Sequence, residues 1–323
     1  MGLPKEFNWS SQWEPHQARR KALLEKYGPQ IKALYGTDPW VPAQAALVVS
    51  LQVCAAWAVR DLSVWQLLVA GYFVGAFANH NLFLAVHELT HNLGFKRPIY
   101  NKLMAVVANL PIGVPMATKF QKYHREHHTS QGVEGIDMDI ATKAEADFIH
   151  NNFQKLVWTI FQLFFYALRP MFVRPFPAEI WDVVNATACI AFDLAIVKFM
   201  GWRSLFYLIS SSFVGGGVHP IAGHFIAEHY TFDPKQETYS YYGPLNAITY
   251  NVGYHNEHHD FPNIPGSRLH KLREIAPEFY NNLHCHMSWS KVVYDYITNP
   301  NVGPFSRTKR MPETRFANAG KAD

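Results

Sequence analysis

The chain has 323 residues, of which 49% are apolar, 15% aromatic and only 17% charged, against roughly 25% charged in an ordinary soluble domain. Its formal charge of +4 comes from 29 basic and 25 acidic side chains, a balance too even for a nucleic-acid partner. Three scattered cysteines, Cys54, Cys189 and Cys285, exclude a disulfide framework and a thiolate metal site. The unusual residue is histidine, present 17 times.

Residues 1–40 are polar, carry Lys5, Arg19, Arg20, Lys21, Lys26 and Lys32, and contain no apolar h-region of the kind a cleaved signal peptide needs. Met1-Gly2 does not read as a lipidation signal, because Glu6 stands where that motif wants Ser or Thr. Mean hydropathy is only −0.11, yet an average hides the segregation of apolar spans from polar loops. From Val41 to Val59 there are 19 residues without a charge, close to the ~20 that cross a hydrocarbon core. After Arg60-Asp61 a second uncharged run, 64–86, is long enough to return. Residues 183–200 and 204–222 form another such pair around Gly201-Trp202-Arg203, with Asp193 inside the first member.

Two shorter stretches, 103–118, broken by Pro111 and Pro115, and 157–168, closed by Arg169-Pro170, read as interfacial or re-entrant segments. The count is four spans, or six if both are included, and either is even. The expected fold is therefore an all-α integral membrane protein: a 1–40 N-terminal segment, then a single domain over 41–323 with two helical hairpins. Six basic residues precede the first span and only Arg60 follows it in the short loop, which places the N-terminus in the cytosol. Residues 87–182 and 223–323 are then expected as a cytosolic helical cap.

Eight histidines fall in three boxes: His87 and His91 in HELTH, His124, His127 and His128 in HREHH, and His255, His258 and His259 in HNEHH. Spacings of three and four residues converge on one stripe of a helix. His219, His224 and His229 lie at or just past the fourth span. One such pair is weak evidence for a ligand set; three boxes together point to metal. His16, His80, His150, His270, His284 and His286 stand alone and read as polar residues with local partners.

HELTH also satisfies H-E-x-x-H, in which two histidines bind zinc and Glu88 would be the general base of an intramembrane metalloprotease. A catalytic zinc needs only three protein ligands, and eight boxed histidines exceed that by five. Imidazole suits iron as well as zinc, and two irons would consume the whole set.

HELTH, HREHH and HNEHH between two apolar hairpins resemble the integral-membrane fatty-acyl desaturase and hydroxylase superfamily. The stretches NLPIGVP (109–115), GHFIAEHY (223–230), ETYSYYGPLN (237–246) and NVGYHNEHHDFPNIPG (251–266) resemble more narrowly its sphingolipid delta(4)-desaturases, the dihydroceramide desaturases. So does the opening, with Phe7, Trp9, Pro15, His16, Arg19 and Arg20. The resemblance implies an endoplasmic-reticulum enzyme that uses O2 and electrons relayed from NADH through a reductase and cytochrome b5. Its substrate would be dihydroceramide and its product ceramide with a trans 4,5 double bond. It implies a di-iron site on His87, His91, His124, His127, His128, His255, His258 and His259, with a further ligand at His229 or, second, His224. The sequence holds no HPGG haem-binding motif, so the electron donor would be a separate protein. Family members desaturate, hydroxylate at C4, or do both, and NLGFKR at 92–97 departs from the NAAFG associated with the family.

An anchored polar group is what lets an enzyme count carbons along a methylene chain. Tyr239, Tyr241, Tyr242 and Asn246 are candidates for that task, and equally for packed interfacial aromatics. Asn256, Glu257 and Asp260 are candidates for orienting the ring nitrogens of the third box.

Overall fold

The computed structural model describes residues 3–313, so Met1-Gly2 lies outside the described residues. Among the described residues the structure is mostly helical, and its strands form two-residue parallel pairs. Helix α1 spans Pro15–Lys32 and α2 spans Trp40–Ala58, the first uncharged run. Helix α3 runs over Val64–Thr90, 27 residues. It starts on a capping box in which Ser63 and Gln66 satisfy each other's backbone amides. A π-turn at Gly71–Gly75 interrupts it.

Helices α4 (Pro98–Asn109) and α5 (Ala117–Thr129) follow. The corner between them, Leu110–Ile112 and the left-handed Gly113, turns the chain by 113°. The stretch 103–118 is therefore a bent pair, as its two prolines foretell.

The next helix differs from expectation. The stretch 157–168 lies inside α6, Asn152–Val173, which is 22 residues long and apolar enough to cross a membrane. Arg169 does not end it, because its guanidinium is buried against Glu145, at 2.8 and 3.0 Å, and donates to the Met138 carbonyl. One stripe of α6, with Lys155, Gln162 and Arg169, packs inward, while Phe164, Met171 and Phe172 are exposed.

Helix α7 is Ile180–Met200, and α8 is Trp202–Gly215. The expected last span, 204–222, is not straight: α8 stops at Gly215 and the chain bends by 51° before Pro220–Ala227. Three consecutive glycines and a proline without an amide hydrogen account for the break. Among the described residues there are thus four unbroken helices long and apolar enough to span a membrane, α2, α3, α6 and α7, or up to six with the two bent pairs. The fourth unbroken helix is α6 rather than 204–222.

Polar side chains tie the apolar helices together. Gln52 of α2 donates to Asn79 of α3 at 2.6 Å, Asn79 donates to Leu208 O and Ser212 Oγ of α8, and Tyr207 donates back to Gln52 at 3.0 Å. Buried amides are tolerated among apolar helices only when satisfied in this way. Outward faces of α2, α3 and α7 expose Leu51, Trp65, Phe73, Leu194 and Phe199, the surface a lipid environment covers.

The remaining elements are short: α9 (Gly223–Ala227), α10 (His255–Asp260), α11 (Gly266–Ile275) and α12 (Trp289–Thr298). Strand β1, Asn8–Trp9, pairs in parallel with β4, Thr308–Lys309. Strand β2, Ser240–Tyr241, pairs with β3, Cys285–His286.

Candidate metal centre

The end of α3, the second half of α5, α10 and the segment after α9 meet at one place, and each delivers histidine. Their rings form two adjacent groups. His87, His91, His124, His128 and His258 make the first, with ligand-capable nitrogens all within 4.8 Å of one another. His127, His229 and His259 make the second. His255 joins the second through Nε2, which lies 2.9 Å from His229 Nε2.

Each H-x-x-H-H box serves both groups. On α5, His124 and His128 face the first and His127 the second; on α10, His258 faces the first and His255 and His259 the second. Successive helix residues are ~100° apart, so neighbours such as His127 and His128 diverge enough to line different centres. Stacking of the His128 and His259 rings, 4.2 Å apart, joins the two groups.

The donor set fits a pair of cations. His124 Nε2 lies 2.9 Å from His91 Nε2 and 3.0 Å from His128 Nε2, and His128 Nε2 lies 3.2 Å from His258 Nε2. Neutral imidazole nitrogens crowded in this manner cannot all pair with one another, since each ring carries a single N–H. Burial, then neighbouring rings, push His258 and His259 well below the ordinary histidine range. Burial does the same first for His229. The neutral ring is the form that ligates metal.

Carboxylates that the spacing of the boxes does not reveal stand behind these rings. His127 Nδ1 lies 3.0 Å from Asp137 Oδ1. Asp137 is itself fixed by the amides of Gly132 and Asp139. Glu228 Oε1 lies 3.0 Å from His255 Nδ1 and 3.1 Å from His224 Nε2. His224 therefore sits outside both groups, behind His255, whereas His229 is inside. The available signal was adjacency: Glu228 precedes His229, and Asp137 lies ten residues after His127. His219 is also apart, its Nε2 3.1 Å from Tyr72 O.

Asn256, Glu257 and Asp260 do not act on the ring nitrogens of the box. Glu257 accepts from Ser240 Oγ and Tyr242 OH, and Asn256 and Asp260 meet the N-terminal helix. The tyrosine candidates are committed to packing. Tyr239 OH lies 2.8 Å from the Gln236 carbonyl and 3.0 Å from that of Asp233, Tyr241 stacks on Trp289 at 4.2 Å, and Asn246 braces Tyr241 O and Gly253 N. Among the isolated histidines, His150 and His284 are exposed. His16 is not a surface residue: it is 2% exposed, with its ring 4.9 Å from that of His259.

Glu88, the base required by the protease alternative, accepts the backbone N–H of Gly266 at 3.1 Å, and the first group holds five histidines where a hydrolytic zinc takes three. That alternative has no support.

Residues 63–291 match the family model described as fatty acid desaturase, and residues 4–40 match the one described as sphingolipid Delta4-desaturase. A sphingolipid delta(4)-desaturase DES1-like protein of Oryza sativa subsp. japonica is 60% identical over 95% of this chain and 94% of its own length. The sphingolipid delta(4)-desaturase DES1 of Drosophila melanogaster is 50% identical over 94% and 95%. The sphingolipid delta(4)-desaturase/C4-monooxygenase DES2 of Homo sapiens is 47% identical over 95% of each chain. With both models and full-length relatives agreeing, the chain belongs to the fatty acid desaturase family, in its sphingolipid delta(4)-desaturase branch.

Proposed function

We propose that the protein converts dihydroceramide to ceramide, removing one hydrogen each from C4 and C5 of the sphinganine chain to leave a trans double bond. The observation that carries the reaction type is the gathering of nine imidazoles into two adjacent groups by both H-x-x-H-H boxes. Substrate class follows from the relatives' names and from the separate match of residues 4–40. O2 and two electrons are consumed with two protons, and two waters leave with the two substrate hydrogens. Insertion of one oxygen at C4, releasing one water, is the second outcome from the same oxidant, and the C4-monooxygenase relative supports it.

In this reading His87, His91, His124, His128 and His258 would hold one iron, and His127, His229, His255 and His259 the other. The irons would supply the oxygen activation needed to cleave an unactivated C–H bond. The chain's own contribution is placement. Asp137 and Glu228 engage the outer nitrogens of His127 and His255, so that each ring presents Nε2 inward. Helices α2, α3 and α8 carry the lipid-level scaffold on which an apolar chain approaches. We further propose an endoplasmic-reticulum location with the site facing the cytosol, where cytochrome b5, reduced from NADH by its reductase, delivers electrons. The basic excess before α2 supports that orientation.

The test is expression in cells lacking the activity, with labelled N-acylsphinganine followed by mass spectrometry and His128→Ala as control. Loss of two hydrogens marks desaturation and gain of one oxygen marks hydroxylation. An unchanged sphingoid base with a new double bond in fatty acyl-CoA overturns the substrate. Elemental analysis of the purified protein is expected to give two irons per chain, and one zinc without iron would overturn the metal reading.

A further inference from the structure

Helix α10 is six residues long, has no side-chain cap at its start, and carries three of the nine gathered histidines. So short a helix is not stable on its own in water. Ser240 and Tyr242 hold Glu257, and Ser240 Oγ accepts the Asn256 amide; the rest of what holds it comes from about 240 residues upstream. His16 Nδ1 lies 2.7 Å from Asp260 Oδ1 and its Nε2 3.0 Å from Thr238 Oγ1. Arg19 donates to Asp260 Oδ2 at 2.6 Å and to Asn256 Oδ1 at 2.9 Å. Arg20 donates to the carbonyls of Asp260 and His259, at 2.5 and 3.0 Å, closing the C-terminal end of α10 as a cationic cap does. Tyr280 OH completes the shell of Asp260 at 2.9 Å.

Asp260 is fully buried and His16 nearly so, so these bonds are made out of water, where losing one partner leaves the other unsatisfied. The docking element also lies within the part of the chain, 4–40, that the sphingolipid model matches and the general desaturase model does not.

We propose that α1 is a latch whose docking is thermodynamically coupled to metal occupancy of the second histidine group, an inference that rests on the proposed metal reading of that group. With α1 docked, Asp260, Asn256 and the His259 carbonyl are fixed, and His255 and His259 are held where His127 and His229 meet them. His16, Arg19 and Arg20 are positioning residues that touch no substrate. Coupling of this kind is reciprocal: the factor by which docking raises metal affinity is the factor by which metal favours docking.

The experiment uses the full chain in detergent, stripped of metal and titrated anaerobically with Fe2+, with amide hydrogen exchange and bound metal measured together. Exchange in residues 15–32 is expected to slow as the second metal enters, while α3 and α8 stay unchanged. Arg19→Ala and His16→Ala are expected to weaken the second metal by about 10–100-fold, the range for residues that support ligands, and the first metal less, because four of its five histidines come from the end of α3 and from α5 rather than from α10. Arg19→Lys is expected to restore part of the affinity. Lys26→Ala, also on α1, removes only an exposed pair with Glu278 and is expected to leave both metals bound as in the wild type. Two metals bound with equal exchange in 15–32 before and after loading would overturn the latch alone. Unchanged affinity in Arg19→Ala would do the same. A wild-type chain that takes up no second metal would overturn the metal reading and the latch with it.

Discussion

Glu88 Oε2 accepts the backbone N–H of Gly266 at 3.1 Å, so the second residue of the first histidine box is bonded to the start of α11, 178 positions away. Gly266 is confined there, since a Cβ would lie 1.8 Å from the Tyr250 carbonyl oxygen. Glu88→Gln keeps an acceptor oxygen and is expected to retain metal and most activity. Glu88→Ala leaves the amide unpaired and is expected to cost about 1–3 kcal/mol in unfolding free energy. Complete loss of turnover in Glu88→Gln with metal still bound would contradict this role.

His124→Ala, His128→Ala, His229→Ala and His259→Ala are each expected to abolish product while the protein remains in the membrane. Each opens one of the two gathered groups. His284→Ala, on an exposed ring paired only with Asp233, is expected to keep most activity. His224→Ala removes a neighbour of Glu228 rather than a ring of either group, so bound metal is expected to be unchanged and turnover reduced. Product analysis by mass spectrometry beside metal content separates the three classes. Full activity in two of the first set would defeat the site.

Gly75 lets α3 and α8 touch: a Cβ there would lie 1.9 Å from Ser211 Oγ and 2.7 Å from Ser211 Cβ. Gly75→Ala is expected to destabilise the protein by about 1–3 kcal/mol through overpacking, read as a lowered midpoint of thermal unfolding in detergent. Ser211→Gly in the same chain is expected to recover most of that loss. An unaltered midpoint in Gly75→Ala would show that α8 yields at no cost.

Both the N-terminal segment and the histidine groups are expected on the cytosolic side. A glycosylation acceptor placed near residue 10 should remain unmodified, and one in a lengthened loop near Arg60 should be modified. The reverse pattern would contradict the orientation and the route of electron supply together.

Helices α2 and α3 were legible because a run without charge is a local property. The helix from Asn152 to Val173 was not, because Arg169 reads as a stop until its partner Glu145 is known, 24 residues away. A hydropathy window over 204–222 likewise sums apolar character without registering that Gly215, Gly216, Gly217 and Pro220 release the backbone. The eight boxed histidines were visible from spacing. Their division into two groups was not, because it depends on how α5 and α10 rotate against each other. His16 illustrates the same limit: its partner Asp260 is 244 positions distant, and no local pattern marks the pair.

The parallel pairing of Asn8–Trp9 with Thr308–Lys309 sets a timetable for biosynthesis. A ribosome delivers the first of these strands at the outset and the second some 300 residues later, so the first must wait unpaired while every apolar helix enters the bilayer. Arg310, beside the late strand, bonds Gln12 O on one side and Glu237 on the other, and its amide pairs with Gly132 O just past the second box. Closure of this corner beside the second box is thus reserved for a nearly finished polypeptide, and a nascent chain stalled before residue 300 lacks it.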